Sequence, residues 1–349
     1  MRFPPGSIGA EVNGRRLRVF DAYMEAREAR ETLEAEEAMS TSDFPTYIGS
    51  FLRHSFLNRF REIVGSWGQY TGSFSAEDFE EYTSSRFGRF GDITEKPLNG
   101  PYDELAITEQ AGPVLKLREW GNSFALTRQL IISDRMNKMA ELPGLLAEAL
   151  ARTMSKVATQ QTLEANPVMW DGNALFSANH SNIGTTALTA DTDGMAEVQA
   201  VDLALAEQTD PEGYPIQVPE QPTLIIPTEL KWVAKAVNEN EFLPDGSNNL
   251  IPNEVRGYFG NIIIDPFLAD ANNWYVGNGN LTGSEAFMVQ ITLNGNTTPF
   301  LGVQNPEVRG ILGGDDPYTF DFDEIRYKIR HDFAFRAIEW RYIYGEIVA

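Results

Sequence analysis

The sequence predicts an α+β protein, and three stretches carry that prediction. Between Ser133 and Asn166 apolar residues recur at helical spacing and form one stripe. From Tyr318 to Tyr344 large apolar residues alternate with polar ones, the period of two that a half-buried strand needs. Between about Thr186 and Gly310 short helix and strand patterns are mixed among Pro- and Gly-rich turns. At 349 residues the chain is long enough for roughly two domains with a sizeable core.

Composition excludes several functions. Fifty Asp and Glu oppose 28 Lys and Arg, a net charge of −22, so most of the surface should repel phosphates, which argues against specific nucleic-acid readout. Zero cysteines remove disulfides and thiolate metal sites, and fit synthesis in a reducing cytoplasm. No apolar run approaches the roughly 20 residues that span a bilayer, and the first residues lack a signal-peptide core. No membrane role is expected.

Taken in order, Met1 to Val19 is Pro- and Gly-rich and should have little structure of its own. Asp21 to Ala38 is a charged helical stretch that must stay solvated or pack on a neighbour. Ser40 to Pro45 breaks it, and Ile48, Phe51, Leu52, Phe56, Leu57, Phe60 and Val64 define a second helix. Leu105 to Arg128 reads as a β-hairpin with its tip at Ala111-Gly112-Pro113 and with Lys116 and Trp120 on the return arm. So few apolar residues cannot stabilise a ribbon alone, and it must lie on its own domain or on another subunit.

Ser133 is the expected N-cap of the long helix, and Pro143 restarts or kinks it. Leu145, Leu146, Ala149, Leu150, Met154, Val157 and Leu163 form the stripe, and Asn166-Pro167 ends it. Some 20 residues make a rod of roughly 30 Å that should cross a sheet. Further on, a helix from about Met195 to Gln208, one from Thr228 to Asn238, and strands at 224–226, 262–264 and 274–276 are expected. Ile325, Tyr327 and Ile329, then Phe333 and Phe335, then Ile338, Trp340, Tyr342 and Tyr344 continue the terminal strand pattern.

Asp171 to Asn182 is the stretch with most chemical promise: a turn (Asp171-Gly172-Asn173), an apolar pair (Leu175, Phe176) and a second turn ending at Asn182. His180 there is one of three histidines, with His54 and His331. Side-chain to backbone bonding within the turn accounts for it better than catalysis or metal binding. There is no Gly-x-Ser-x-Gly elbow and no His pair at metal-ligand spacing. Asp315-Asp316 and Asp321/Asp323 read as solvated turn acids, and Gly277-Asn278-Gly279 as a turn without a Walker lysine. The residues support no catalytic site, no metal and no cofactor.

In order, Phe124-Ala-Leu-Thr-Arg-Gln-Leu-Ile-Ile-Ser-Asp134, Leu142-Pro143, Asn166-Pro167 and Asp171-Gly-Asn-Ala-Leu-Phe-Ser-Ala-Asn-His-Ser-Asn182 resemble tailed-phage major capsid proteins, with the Mu-like major head subunit family nearest. Ser40 to Pro45, Gln208 to Gly213 and Leu224 to Ile226 resemble the same family. The likeness runs from about Ser40 to the C-terminus. It implies the Hong Kong 97 (HK97)-like capsid fold. Residues 1–65 would be an N-terminal arm, with 1–39 a possible extension; 66–132 would hold the extended E-loop, with Gly112, Pro113, Lys116 and Trp120 in its assembly contacts.

Residues 133–185 would then be the spine helix and following turn of the peripheral (P) domain, 186–310 the axial (A) domain, and 311–349 returning P-domain strands. The implied function is a head protein forming pentamers and hexamers of an icosahedral shell around double-stranded DNA, assembled in the bacterial cytoplasm. Its partners would be copies of itself, a portal, scaffold or decoration proteins, and DNA held without sequence preference. A cargo-holding encapsulin-like shell shares this fold and is the alternative; an acidic hydrolase using His180 is the remaining one. Some relatives join subunits through a Lys–Asn bond; Lys116 sits in the hairpin, but no motif marks a partner.

Overall fold

A computed structural model describes residues 54–63, 65–87, 109–127, 141–210, 213–216, 221–245, 249–283, 286–304 and 324–348, with a few isolated positions and pairs between them. The charged stretch 21–38, the Ser40–Pro45 break, the Ser133 helix start and the strand expected at 318–322 lie outside the described residues, or nearly so. Among the described residues, in chain order, the strands are β1 Glu11–Val12, β2 Arg15–Arg16, β3 Gly72–Ala76, β4 Tyr82–Phe87, β5 Glu109–Leu115, β6 Glu119–Thr127, β7 Ile183–Gly184, β8 Thr223–Ile226 and β9 Phe242–Pro244. They continue with β10 Leu250–Pro252, β11 Asn261–Ile264, β12 Trp274–Gly277, β13 Met288–Leu293, β14 Phe300–Val303, β15 Val308–Arg309, β16 Asp315–Asp316, β17 Glu324–Ala337 and β18 Ile343–Glu346. The helices are α1 (54–62), α2 Leu142–Ala158, α3 Thr192–Ala206 and α4 Lys231–Glu239.

The chain divides into two compact units. The first comprises Met1–Val64, Glu119–Thr153 and Asn296–Asp332. In it β17 pairs antiparallel with β6 over nine residues, Glu324↔Thr127 to Asp332↔Glu119, and on its other side with β14. Alternation makes this sheet two-faced. Ile325, Tyr327, Ile329 and His331 are buried, while Arg326, Lys328 and Arg330 are exposed. Phe124 stacks on Tyr327 at 5.2 Å, and Phe60 of α1 meets the His331 ring edge-on at 6.3 Å.

The second unit comprises Gly65–Arg118, Met154–Gly295 and Phe333–Ala349. Its five-stranded sheet runs β11-β8-β12-β18-β7, with β11–β8 and β18–β7 parallel and the rest antiparallel. Val198, Val201 and Leu205 of α3 and Ala234 and Val237 of α4 pack on Leu224, Ile226, Trp274 and Val276 of this sheet. Asp191 caps α3, its carboxylate accepting the Asp193 and Gly194 amides. A second layer joins β13 to β3 in parallel and to residues 333–337 antiparallel, and Val289, Ile291, Ala334, Leu115 and Leu117 share its core.

Two expectations about the hairpin are corrected. The hairpin is not Leu105–Arg128: β5 pairs with β4, and β6 pairs with β17. Gly112-Pro113, read as a tip, lies inside β5 where the register slips between Thr83 and Ser85, so a turn signature marks a β-bulge instead. The Ser84 hydroxyl donates to the Pro113 carbonyl at 3.1 Å there. The long helix is described from Leu142, with Pro143 in its first turn where the missing N–H costs nothing, and it widens to a π turn at Thr159–Leu163.

The period of two also fails near the end. Phe333, Ala334 and Phe335 are all buried, and β17 stops at Ala337. Glu339 Oε1 accepts the Trp340 and Arg341 amides, folding 338–342 into a turn before β18 begins. Trp340 is therefore a turn residue and not part of a strand.

Candidate functional site

The stretch Asp171 to Asn182 folds into two linked turns after the π turn, all within the second unit. Asn166, at φ 47°, ends the helix and clamps Phe176 from both sides: its Oδ1 accepts the Phe176 amide at 2.7 Å and its Nδ2 donates to the Phe176 carbonyl at 3.0 Å. Gly172, at φ 86°, makes the first turn, and Asp171 accepts the Asn173 amide at 3.1 Å and the Asn173 carboxamide at 2.7 Å. Ser181, at φ 52°, makes the second turn.

Between the turns the apolar pair is the anchor. Leu175 and Phe176 are fully buried, and Phe176 lies 5.3 Å from the Tyr275 ring. Gly345 of β18 permits this, because a Cβ there would sit 2.7 Å from the Phe176 ring. Asn182, also fully buried, accepts the Ser177 amide and donates to the carbonyls of Leu175, Trp340 and Ile343 at 2.9 to 3.3 Å. One carboxamide thus ties the turn to the C-terminal strand.

His180 completes the set. Its Nε2 lies 2.8 Å from Asp171 Oδ2 and its Nδ1 3.1 Å from the Leu175 carbonyl. Both partners are acceptors, so only the imidazolium can donate to both. Its ring stacks on Trp340, which also contacts Trp170 at 4.5 Å and the Arg341 guanidinium at 4.4 Å. Burial pushes the Asp171 carboxyl up, but hydrogen bonds from Asn173 and His180 outweigh it and hold the group below the ordinary range. An imidazole that is 5% exposed, with both nitrogens engaged and one face covered, has no access to a substrate. The hydrolase alternative fails on this geometry.

The expected ribbon residues are not brought together. Gly112 and Pro113 are buried in β5, and Lys116 follows that strand, exposed, with its ammonium 3.0 Å from Glu81. Trp120 lies on β6 opposite His331, in the other unit. Among the described residues no group of three or more acids and histidines could hold a metal ion, and no helix is long and apolar enough to cross a membrane.

Sequence reasoning missed the polar knot under the π turn. Asp265, fully buried, accepts the Tyr70 hydroxyl at 2.8 Å and the Thr159 hydroxyl at 2.9 Å. Three residues so far apart in the chain left no local signal. It also missed Glu346, fully buried on β18, whose Oε2 accepts the Thr186 amide at 2.8 Å. Burial raises its carboxyl to about 8, and the neighbouring Glu197 adds to the rise.

Every polar group so placed serves to fix the fold, and none is set out for chemistry. Comparison with known proteins agrees. The family described as phage capsid protein matches residues 112–345, about two-thirds of the chain. The chain belongs to that phage capsid protein family.

Among solved structures, a chain from Microbacterium phage Oxtober96 is similar at TM-score 0.50 and 11% identity, covering 82% of this chain and 91% of that one. Mycobacterium phage Adephagia gives TM-score 0.49 at 10% identity, over 82% and 91%. The capsid of an empty GTA particle gives TM-score 0.48 at 13% identity, over 93% and 98%. No curated protein matches by sequence. The capsid protein has the HK97-like α+β fold. As a phage capsid protein it is a structural component of the virion and not an enzyme.

Proposed function

We propose that this capsid protein is the major head subunit of a Mu-like tailed phage, forming the pentamers and hexamers of an icosahedral shell that encloses double-stranded DNA. The observation that carries the reading is the family match over residues 112–345, joined to the ordered Mu-like motifs from Ser40 to Asn182. In this reading the β4–β5 ribbon belongs to the extended loop that reaches a neighbour. The helix from Leu142 to Leu163 is the spine, and the sheet carrying α3 and α4 faces the capsomer centre. Residues 1–65 form the arm, with a portal and scaffold or decoration proteins as further partners.

Such a shell needs no strong single contact, because symmetry repeats each weak one many times. Electron microscopy of the purified full-length chain, or of the virion carrying it, tests the proposal. Closed shells with five- and six-fold capsomers are expected. Particles holding a cargo protein in place of DNA would move the assignment to a cellular compartment, and a chain that stays monomeric under all assembly conditions would overturn it.

A further inference from the structure

The exposed face of the β6–β17–β14 sheet carries a basic stripe on an otherwise acidic chain. Arg326, Lys328 and Arg330 point out at alternate positions of β17, about 13 Å from first to last. Their neighbours on β6 are small, Ala125, Ser123 and Gly121; on β14 Gly302 lies opposite Lys328 and Phe300 opposite Arg330. Lys328, with Ser123 and Gly302 on either side, is the least covered by its strand neighbours. Phe300, 47% exposed, lies beside the Arg330 guanidinium at the end of the stripe. Glu324 and Glu119 touch the outer two cations, and Lys328 between them pairs with no carboxylate among the described residues.

The complementary surface is on the same chain, in the second unit. Glu77, Asp78, Glu80 and Glu81 follow one another around the bend between β3 and β4, all exposed, with Phe79 and Tyr82 exposed among them. Lys116 pairs with Glu81, while Glu77, Asp78 and Glu80 meet no cation among the described residues. Both surfaces are exposed, and their opposite charges suit them to meet between copies.

We infer that the acidic bend Glu77–Glu81 of one copy docks on the Arg326/Lys328/Arg330 stripe of the next, with the aromatic side chains Phe79 and Phe300 at the contact. The inference rests on the shell reading and assigns one of its subunit contacts. Charge pairing of this kind guides approach and register more than it adds affinity, so it should weaken as salt rises.

The test uses full-length subunits and measures assembly by sedimentation and electron microscopy at low and high salt. Reversal at the stripe (Lys328→Glu with Arg330→Glu) or at the bend (Glu77→Lys with Glu80→Lys) should lower the low-salt assembly rate by about tenfold or more. The four-substitution chain, with the charges exchanged, should recover most of the loss. Thermal melts of the unassembled subunits check that each variant is folded. Either reversal assembling like the parent, or the exchanged chain doing no better than the single reversals, overturns the contact and leaves the shell reading standing. Stripe-reversed shells that form normally but hold less DNA would place nucleic acid on the stripe and also overturn it. A parent chain that forms no shell at all overturns both.

Discussion

The imidazole of His180 lies flat on the indole of Trp340, with ring centroids 4.1 Å apart and planes 5° from parallel. This contact holds the Asp171–Asn182 turn against the link between the last two strands. His180→Ala and Trp340→Ala should each destabilise the subunit by about 1–3 kcal/mol. Denaturant unfolding of both single variants and the double variant should give a coupling of about 0.5–1.5 kcal/mol. Strict additivity would mean that the stacking contributes nothing.

Asn182 offers a sharper contrast. Asn182→Asp keeps the shape but sets a carboxylate against the carbonyls of Leu175, Trp340 and Ile343. It should cost more than Asn182→Ala, which should itself cost about 1–3 kcal/mol for removing the bonds that tie the turn to the last strand. Urea midpoints in the order parent, Ala, Asp are expected. An Asp variant as stable as the parent would contradict the assigned bonds.

Two buried groups set opposite pH limits. Glu346 titrates at about 8 in the fold against 4.5 as a free side chain, so the fold holds its proton more tightly; that stabilisation is full below 4.5 and lost as pH rises through 8. Burial lowers His331 to about 4 from 6.5, so its contribution is present above 6.5 and lost as pH falls through 4. Melting temperatures of the unassembled subunit should therefore fall toward both pH 9 and pH 4. Glu346→Gln should flatten the alkaline limb and His331→Phe the acid limb, each leaving the other limb unchanged.

Gly345 tests the packing of Phe176. Gly345→Ala places a Cβ 2.7 Å from that ring and should cost about 1–3 kcal/mol through overpacking. Adding Phe176→Leu should recover part of the loss. If Gly345→Ala were neutral by calorimetry, the close approach would not be constraining the turn.

Much of the fold was legible because it depends on local pattern. The α2 stripe at Leu150, Met154 and Val157, the strands expected at 224–226 and 274–276 and the alternation of Ile325, Tyr327 and Ile329 each follow from burying one face of a regular element, whereas Leu145, read into the same stripe, is exposed. The turn at Asp171-Gly172-Asn173 was legible for the same reason, since its residues satisfy each other's backbone. The hairpin was misread at Gly112-Pro113 because a β-bulge and a turn ask for the same residue types.

The amino-acid order thus determined the α+β class, the acidic charge, the absence of thiol chemistry and the turn's own bonds, all of which act between near neighbours or through summed composition. Tertiary structure alone decided that β6 pairs with β17, that Asp265 gathers Tyr70 and Thr159, and that Trp340 covers His180. Those contacts join residues tens to hundreds of positions apart, and which of many compatible partners meet is settled by packing the whole chain at once.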